Sequence, residues 1–344
     1  MSADQWSVWL VAMVGSVALA ASGAGGKKED ADPASGPPKP AGGALAKQRV
    51  RLIASTDIGG SDPDDFQSMV HLLVYADVLD IEGLISSPPK GGRAKHIHEV
   101  INAYEADWPN LKRHAAYPAP AALRKVTKQG AIEAAPTGGF TRATEGSRWI
   151  IERARAADAK KRPLYVLVWG SITDVAQAVH DDPSIKKALR VYSIGSWNTR
   201  NDRHARDYLY EKHTDLWWVE ADTTFRGMYM GGRQDGQWGN RAFLARHVKG
   251  HGALGDLLVR KKADIKMGDT PSVLYLLRGD ANDPTGDHWG GAFVGTGHGP
   301  NYWTDNPAAS LAERGKRGAK TVNKWRQAYL SDWMERMDRA RGMR

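Results

Sequence analysis

Short apolar runs alternate with stretches of helical periodicity from Val50 to near the end of the chain. Val50-Arg51-Leu52-Ile53-Ala54-Ser55 reads as a buried strand. After a loop rich in Asp and Gly, Phe66, Met69, Val70 and Leu73 fall at i, i+3, i+4 and i+7, one face of a helix. Ile81 to Ile85 reads as a second strand. Ile97, Val100, Ile101 and Tyr104 form the stripe of a helix over 94–107, and another helix is predicted over 145–158. Leu164 to Trp169 is apolar at every position, as a central parallel strand covered on both faces requires. The pattern continues with a helix over 173–179, strands over 191–194 and 216–219, a helix over 272–277 and a long helix from about 321 to 339. This alternation predicts an α/β fold with a doubly wound, mostly parallel sheet flanked by helices. No internal repeat is visible.

The N-terminal segment has a different character. Residues 6–21 are apolar but shorter than the roughly 20 residues that a membrane span needs. They run into small residues, Ala20-Ala21-Ser22-Gly23-Ala24, of the kind that a signal peptidase accepts. A signal peptide over 1–24 is therefore expected. Asp4 and the absence of Lys or Arg before the apolar stretch leave an uncleaved anchor as the alternative. Residues 25–47 hold five Gly, four Pro and five Ala, the composition of a flexible tether with no core-forming capacity. A folded domain over 48–344 follows. The arrangement predicts a bacterial protein that is exported, periplasmic or secreted, with no stable membrane span after cleavage.

Composition adds exclusions. The chain has 344 residues, 41% hydrophobic and 25% charged, which suits a soluble protein with a sizeable core. Cysteine is absent, so disulfides, thiolate metal sites and cysteine nucleophiles are excluded. The formal charge of +9 comes from basic residues that are mostly scattered, with clusters at Arg314, Lys316, Arg317 and at Arg339, Arg341, Arg344. We read it as a solubility feature and expect no nucleic-acid polymer as partner. Thirteen tryptophans favour an aromatic-lined cleft or sugar contacts, although Trp also serves as a core residue.

The segment richest in candidate chemistry is Thr56-Asp57-Ile58-Gly59-Gly60-Ser61-Asp62-Pro63-Asp64-Asp65. It sits at the carboxyl end of the first strand, the edge where open α/β sheets bind ligands. Four carboxylates within nine residues repel one another unless a cation offsets them, and calcium accepts about six to eight oxygen ligands. A second reading is structural: Asp residues cap helices and complement the helix dipole, and Pro63 suits a first turn.

This loop resembles that of the inosine-uridine-type nucleoside hydrolases, and its longer spacing resembles the nucleoside hydrolase-like domain of a cellulose-binding protein family. Val168-Trp169-Gly170-Ser171-Ile172-Thr173-Asp174 is similar to that family's turn after a central strand. Lys266-Met267-Gly268-Asp269-Thr270-Pro271-Ser272 is similar to its late helix start. Trp289-Gly290-Gly291, the run Thr321 to Arg326, Asp332 and Arg336-Met337-Asp338 also fit. The resemblance covers about 48 to 340. It implies a calcium-dependent hydrolase of N-glycosidic bonds, acting on a nucleoside or related glycoside. Asp57, Asp65 and Asp269 would bind Ca2+ through side chains and Trp169 through its carbonyl. Asp57 would also activate the attacking water, and Asp64 would contact sugar hydroxyls. The partner would be a small-molecule or saccharide substrate, and an oligomer is compatible with the resemblance. A carbohydrate- or cellulose-binding protein without catalysis is the alternative.

The pattern also departs from the family. Gly268 stands where such hydrolases often place the histidine that protonates the leaving base. Ser86-Ser87-Pro88-Pro89 replaces the usual Gly-Asn after the second strand. Asn198 is the nearest candidate for a sugar contact in an altered segment, and Trp197 beside it is a stacking candidate. His288 could replace the missing acid or simply be solvated. His71 is expected to be structural. Trp217 and Trp218 read as packing, Glu220 and Asp222 as helix-capping acids, and the loop over 231–240 as a possible cover of the cleft.

Overall fold

The computed structural model describes residues 49–342 apart from Ser61, Lys90, Gly138 and Thr141, so the predicted signal peptide, the whole tether and Gln48 lie outside it. The chain runs β1 (Val50–Thr56), α1 (Asp64–Val74), β2 (Leu79–Ser86), α2 (Ala94–Leu111), α3 (Pro120–Lys125), β3 (Thr127–Gln129), α4 (Glu145–Ala159), β4 (Leu164–Val168) and α5 (Thr173–Asp181). It continues through β5 (Leu189–Ile194), α6 (Trp197–Asn201), α7 (Arg203–Lys212), β6 (Trp218–Ala221), α8 (Asn240–His247), α9 (Gly252–Lys261) and α10 (Thr270–Leu277). The last elements are β7 (Phe293–Gly295), β8 (Tyr302–Asp305), α11 (Ala319–Asn323) and α12 (Arg326–Ala340). One sheet takes the order β3-β2-β1-β4-β5-β6-β8-β7, parallel except for the β7–β8 pair.

The predicted α/β, doubly wound sheet is the observed one. Strand alternation splits the core in two, because successive side chains leave opposite faces. Leu52, Ala54, Tyr165, Leu167 and Trp169 pack on one face beneath α1, α2, α9, α10 and α12. Ile53, Leu164, Val166 and Val168 pack on the other beneath α4 and α5. At the amino end of the sheet, Arg51 on β1 makes a two-pronged bond to Glu82 on β2, both contacts 2.6 Å. Among the described residues no helix is long and apolar enough to cross a membrane.

Several predicted boundaries shift. The strand placed at 216–219 pairs over Trp218–Ala221, because a turn that bonds Leu216 N to His213 O occupies its start. The C-terminal helix is two helices, α11 and α12. Asn323 turns its amide onto the Met230 carbonyl at the break, and Trp325 caps the second helix. β3, β7, β8 and helices α3 and α6 to α9 have no counterpart in the predicted set. The three strands are of three or four residues, too short for an alternation to stand out.

Strand order reverses at β1, which has β2 on one side and β4 on the other. A doubly wound sheet opens a crevice at that point, outside the carboxyl ends of the strands.

Candidate active site

The first side of the crevice is the turn after β1. Gly60 N donates to Asp57 O at 2.9 Å, and Gly59 takes φ +93°, which lets the chain reverse with little steric penalty. The chain then enters α1, whose first turn carries Asp64 and Asp65. Thr56 Oγ1 donates to Asp65 Oδ1 and accepts from Ile58 N at 3.1 Å, locking that carboxylate to the end of β1.

The second side is the end of β4. Trp169 N extends the sheet by donating to Ser55 O at 2.7 Å. The next residue must be small: a Cβ on Gly170 would lie 2.8 Å from Asp57 Cβ and from the Pro88 carbonyl. The buried Trp169 ring donates through Nε1 to Ser272 Oγ at 2.8 Å, and that hydroxyl donates to Asp269 O at 2.6 Å. The strand end thereby grips the start of α10, where Asp269 is the N-cap.

Gln67, fully buried on α1, fixes the approach to α10. Its Oε1 accepts from Lys266 N at 3.0 Å and Met267 N at 3.3 Å, and its Nε2 donates to Lys262 O and Asp264 O. Two helix starts separated by about 200 residues of sequence are thus held side by side.

Oxygens of Asp64, Asp65 and Asp269 lie within 4.8 Å of one another. Asp57 stands beside them, its carboxyl next to that of Asp65. The Oδ2 of Asp269 is buried and has no hydrogen-bond partner. Burial, and then repulsion from Asp64, pushes the Asp57 carboxyl up to about 7. Burial and the neighbouring Asp62 raise Asp64 to about 6. Asp65 and Asp269 are held well above the usual carboxylate range by burial, then by Asp57 and Asp64 respectively. Buried acids that repel one another, with one oxygen left orphaned, form a hard all-oxygen donor set that suits a divalent cation such as Ca2+.

These groups line one cavity of about 360 Å3, together with Trp169, Trp197 and Asn198. All seven residues singled out from the sequence therefore meet. The converging trio contains Asp64, to which the resemblance gives sugar contact, and Asp57 stands beside the trio. Asn198 donates from Nδ2 to the Trp169 carbonyl at 2.7 Å and to Ile194 O at 3.2 Å, so it orients the carbonyl that the resemblance proposes as a ligand. Trp197 is 40% exposed, with its ring at the cavity.

Other candidates fall away. His288 is fully buried, stacked on Tyr275, with its ring nitrogens against the carbonyls of Gly286 and Asp280 at 2.9 and 2.8 Å, and it does not line the cavity. Glu220 is no cap: it is buried on β6, where Arg206 and Tyr302 bond it at 2.7 and 2.5 Å. Asp222 accepts from Ser196 N. The loop over 231–240 packs against α11 and Tyr229 and lies outside the cavity lining. His71 is buried between Tyr75 and Trp333, and burial lowers it to about 3.

The sequence reading passed over Phe225, Arg226 and Tyr229, which line the same cavity from the turn after β6. Their signal is positional: they follow the carboxyl end of a parallel strand. Phe225 explains Gly268, since a Cβ there would lie 3.1 Å from Asp64 Oδ2 and 3.2 Å from the Phe225 ring. That ring borders the space beside Gly268.

An acid-floored crevice at the reversal point of a doubly wound sheet defines a nucleoside hydrolase-like protein. Residues 51–293 match the family described as "Cellulose-binding Sde182, nucleoside hydrolase-like domain", and the chain belongs to that family. A comparison with curated protein sequences finds no significant match. Among solved structures, a nucleoside hydrolase-related hypothetical protein from Saccharophagus degradans, associated with carbohydrate metabolism, is 25% identical. That alignment covers 86% of this chain and 72% of the other, at a TM-score of 0.66. The type III effector XopQ, complexed with adenosine diphosphate ribose, is 12% identical over 86% of this chain and 93% of its own, at 0.53. The inosine-uridine preferring nucleoside hydrolase of Bacillus anthracis is 12% identical over 84% and 99%, at 0.50. The last two likenesses are of fold.

Proposed function

We propose that the protein is an exported, calcium-dependent hydrolase of N-glycosidic bonds in a nucleoside or related glycoside. The observation that carries this reading is the convergence of Asp64, Asp65 and Asp269, with a buried unpartnered oxygen on Asp269, in a cavity large enough for a sugar. These three would hold the ion, with the Trp169 carbonyl and Asp57 as further oxygens. When bound, Ca2+ supplies positive charge that offsets the carboxylates and sites for two sugar hydroxyls and a water. Asp57 takes the proton of the attacking water at its carboxylate. Asp64 accepts from a sugar hydroxyl, Asn198 keeps the Trp169 carbonyl in place, and Trp197 offers its ring to the sugar. The clustered carboxylates stabilise the positive charge that develops on the sugar as its bond to the base lengthens; the water oxygen bonds to the anomeric carbon, and the base leaves with the bonding pair and takes a proton from solvent.

The test is release of reducing sugar from a panel of N-glycosides, with calcium and with chelator. Chelator-sensitive turnover that disappears in Asp57→Asn supports the reading. Tight calcium binding with no turnover on any member counts against it.

A second reading, a carbohydrate- or cellulose-binding protein without catalysis, is favoured by Gly268: the ring of Phe225 borders the space beside it, and no histidine lines the cavity among the described residues. Saturable binding to a polysaccharide that survives Asp57→Asn, without turnover, would select it.

A further inference from the structure

We propose that the ligand of this cavity carries an oxyanion, a phosphate or a carboxylate, and that Arg226, assisted by Arg200, receives it. The inference rests on the sugar-binding reading of the cavity and extends it to the substrate's charge. Arg226 comes from the turn after β6 and Arg200 from α6, and both side chains line the cavity that holds the aspartates.

Most core arginines elsewhere have settled partners, although Arg190, away from the cavity, also has a bare Nε and no carboxylate and lies over the Trp217 ring. Arg51 is paired with Glu82, Arg206 with Glu220 and Arg336 with Asp77. Arg326, which has no carboxylate partner, places its Nε and both terminal nitrogens on oxygens of Met228, Trp238 and Asn240. Arg226 has neither arrangement. Nη1 donates to Tyr229 OH at 3.1 Å and Nη2 to Ser196 Oγ at 3.3 Å, both neutral and long contacts. Its Nε is buried without a partner. Among the described residues neither Arg226 nor Arg200 pairs with a carboxylate. The third cation of the lining, Lys266, is already bonded to Asp62.

A half-buried guanidinium without a counter-ion is unfavourable unless a ligand brings one, and its planar fork matches phosphate and carboxylate oxygens. Ser196 supports the fork from a strained backbone position, φ +61°, and its amide is tied to Asp222. A neutral sugar needs no such pole, because its hydroxyls both donate and accept. The net charge of +9 also favours the approach of an anionic ligand.

The test is calorimetric binding to the full chain in calcium, with ribose 5-phosphate against ribose and glucuronate against glucose. At least one charged sugar is expected to bind more than about tenfold tighter than its neutral partner. The pair that shows the preference distinguishes phosphate from carboxylate. The preference should shrink as salt is raised. Arg226→Gln should bring the charged-to-neutral ratio close to one, Arg200→Gln should reduce it partly, and Arg226→Lys should fall between wild type and Arg226→Gln. Equal affinity within each pair, no binding of either charged sugar, or a preference that persists in the Arg226→Gln, Arg200→Gln double variant overturns the proposal. If Arg226→Gln does not fold, the wild-type ratio and its salt dependence still decide. Binding is read without turnover, so failure of the hydrolase reading leaves this result intact, and turnover of neutral nucleosides alone removes only the charge assignment.

Discussion

Asp57, Asp64, Asp65 and Asp269 are held against their own solution chemistry. Each has a carboxyl raised above the ordinary value, chiefly by burial. A raised carboxyl binds more protons folded than unfolded between the two values. Their contribution to the stability of the metal-free protein therefore falls as pH rises from about 4 to about 7, the window set by Asp57. A bound cation removes that loss. The gain in Tm on adding calcium in place of chelator should be small near pH 4 and should grow toward pH 7, as thermal melts at several pH values would measure. A gain independent of pH would contradict the assignment. Asp57→Asn removes one of the repelling charges, so the metal-free protein should melt no lower than wild type. Turnover in calcium should drop by about 10²- to 10⁴-fold, the contribution of a general base.

Helices α1 and α10 are tied through neutral side chains: Thr270 Oγ1 donates to Ser68 Oγ at 3.1 Å, and Gln67 holds the approach to α10. Gln67 makes four bonds to the segment 262–267 that leads into α10. Gln67→Leu keeps the bulk but leaves two amides and two carbonyls without partners. Urea unfolding should show a loss of about 2–4 kcal/mol, and calcium titration should show weaker binding, because Asp269 loses its fixed place beside Asp64. Unchanged calcium affinity would mean that the Trp169–Ser272 and Thr270–Ser68 links position α10 without Gln67. Elements with strong periodicity, β1, α1, β4 and α5, were legible, and so was the acidic loop between two of them. Gln67 was not, since a glutamine at a helix position carries no local sign of burial. Arg226 and Tyr229 were missed because they lie on a short turn with no period of its own.

Across the whole molecule, the motif residues near the C-terminus serve the scaffold. Arg326, buried on α12, holds the carbonyls of Met228 and Trp238, and Asn323 holds Met230. Tyr75, just past the end of α1, donates to Asp332, and Arg336 pairs with Asp77. Arg326→Met should therefore lower stability by about 2–4 kcal/mol in urea, because it strands several buried acceptors, while calcium affinity of the folded protein stays within about twofold of wild type, since the mutation touches no carboxylate of the cluster. A large loss of calcium affinity would show that α12 also positions the site.

Local order in the chain was enough for the α/β class, the parallel central strand and the placing of Asp57, Asp64 and Asp65 at a strand-to-helix turn, because periodicity and turn chemistry act between near neighbours. Packing settled the rest. Asp269 reaches the cluster because α10 lies against α1, His288 is turned inward by two carbonyls and a tyrosine ring, and Phe225 fills the space above Gly268. The first and last depend on contacts between segments tens to hundreds of residues apart, and the second on the three-dimensional course of a loop, none of which periodicity encodes.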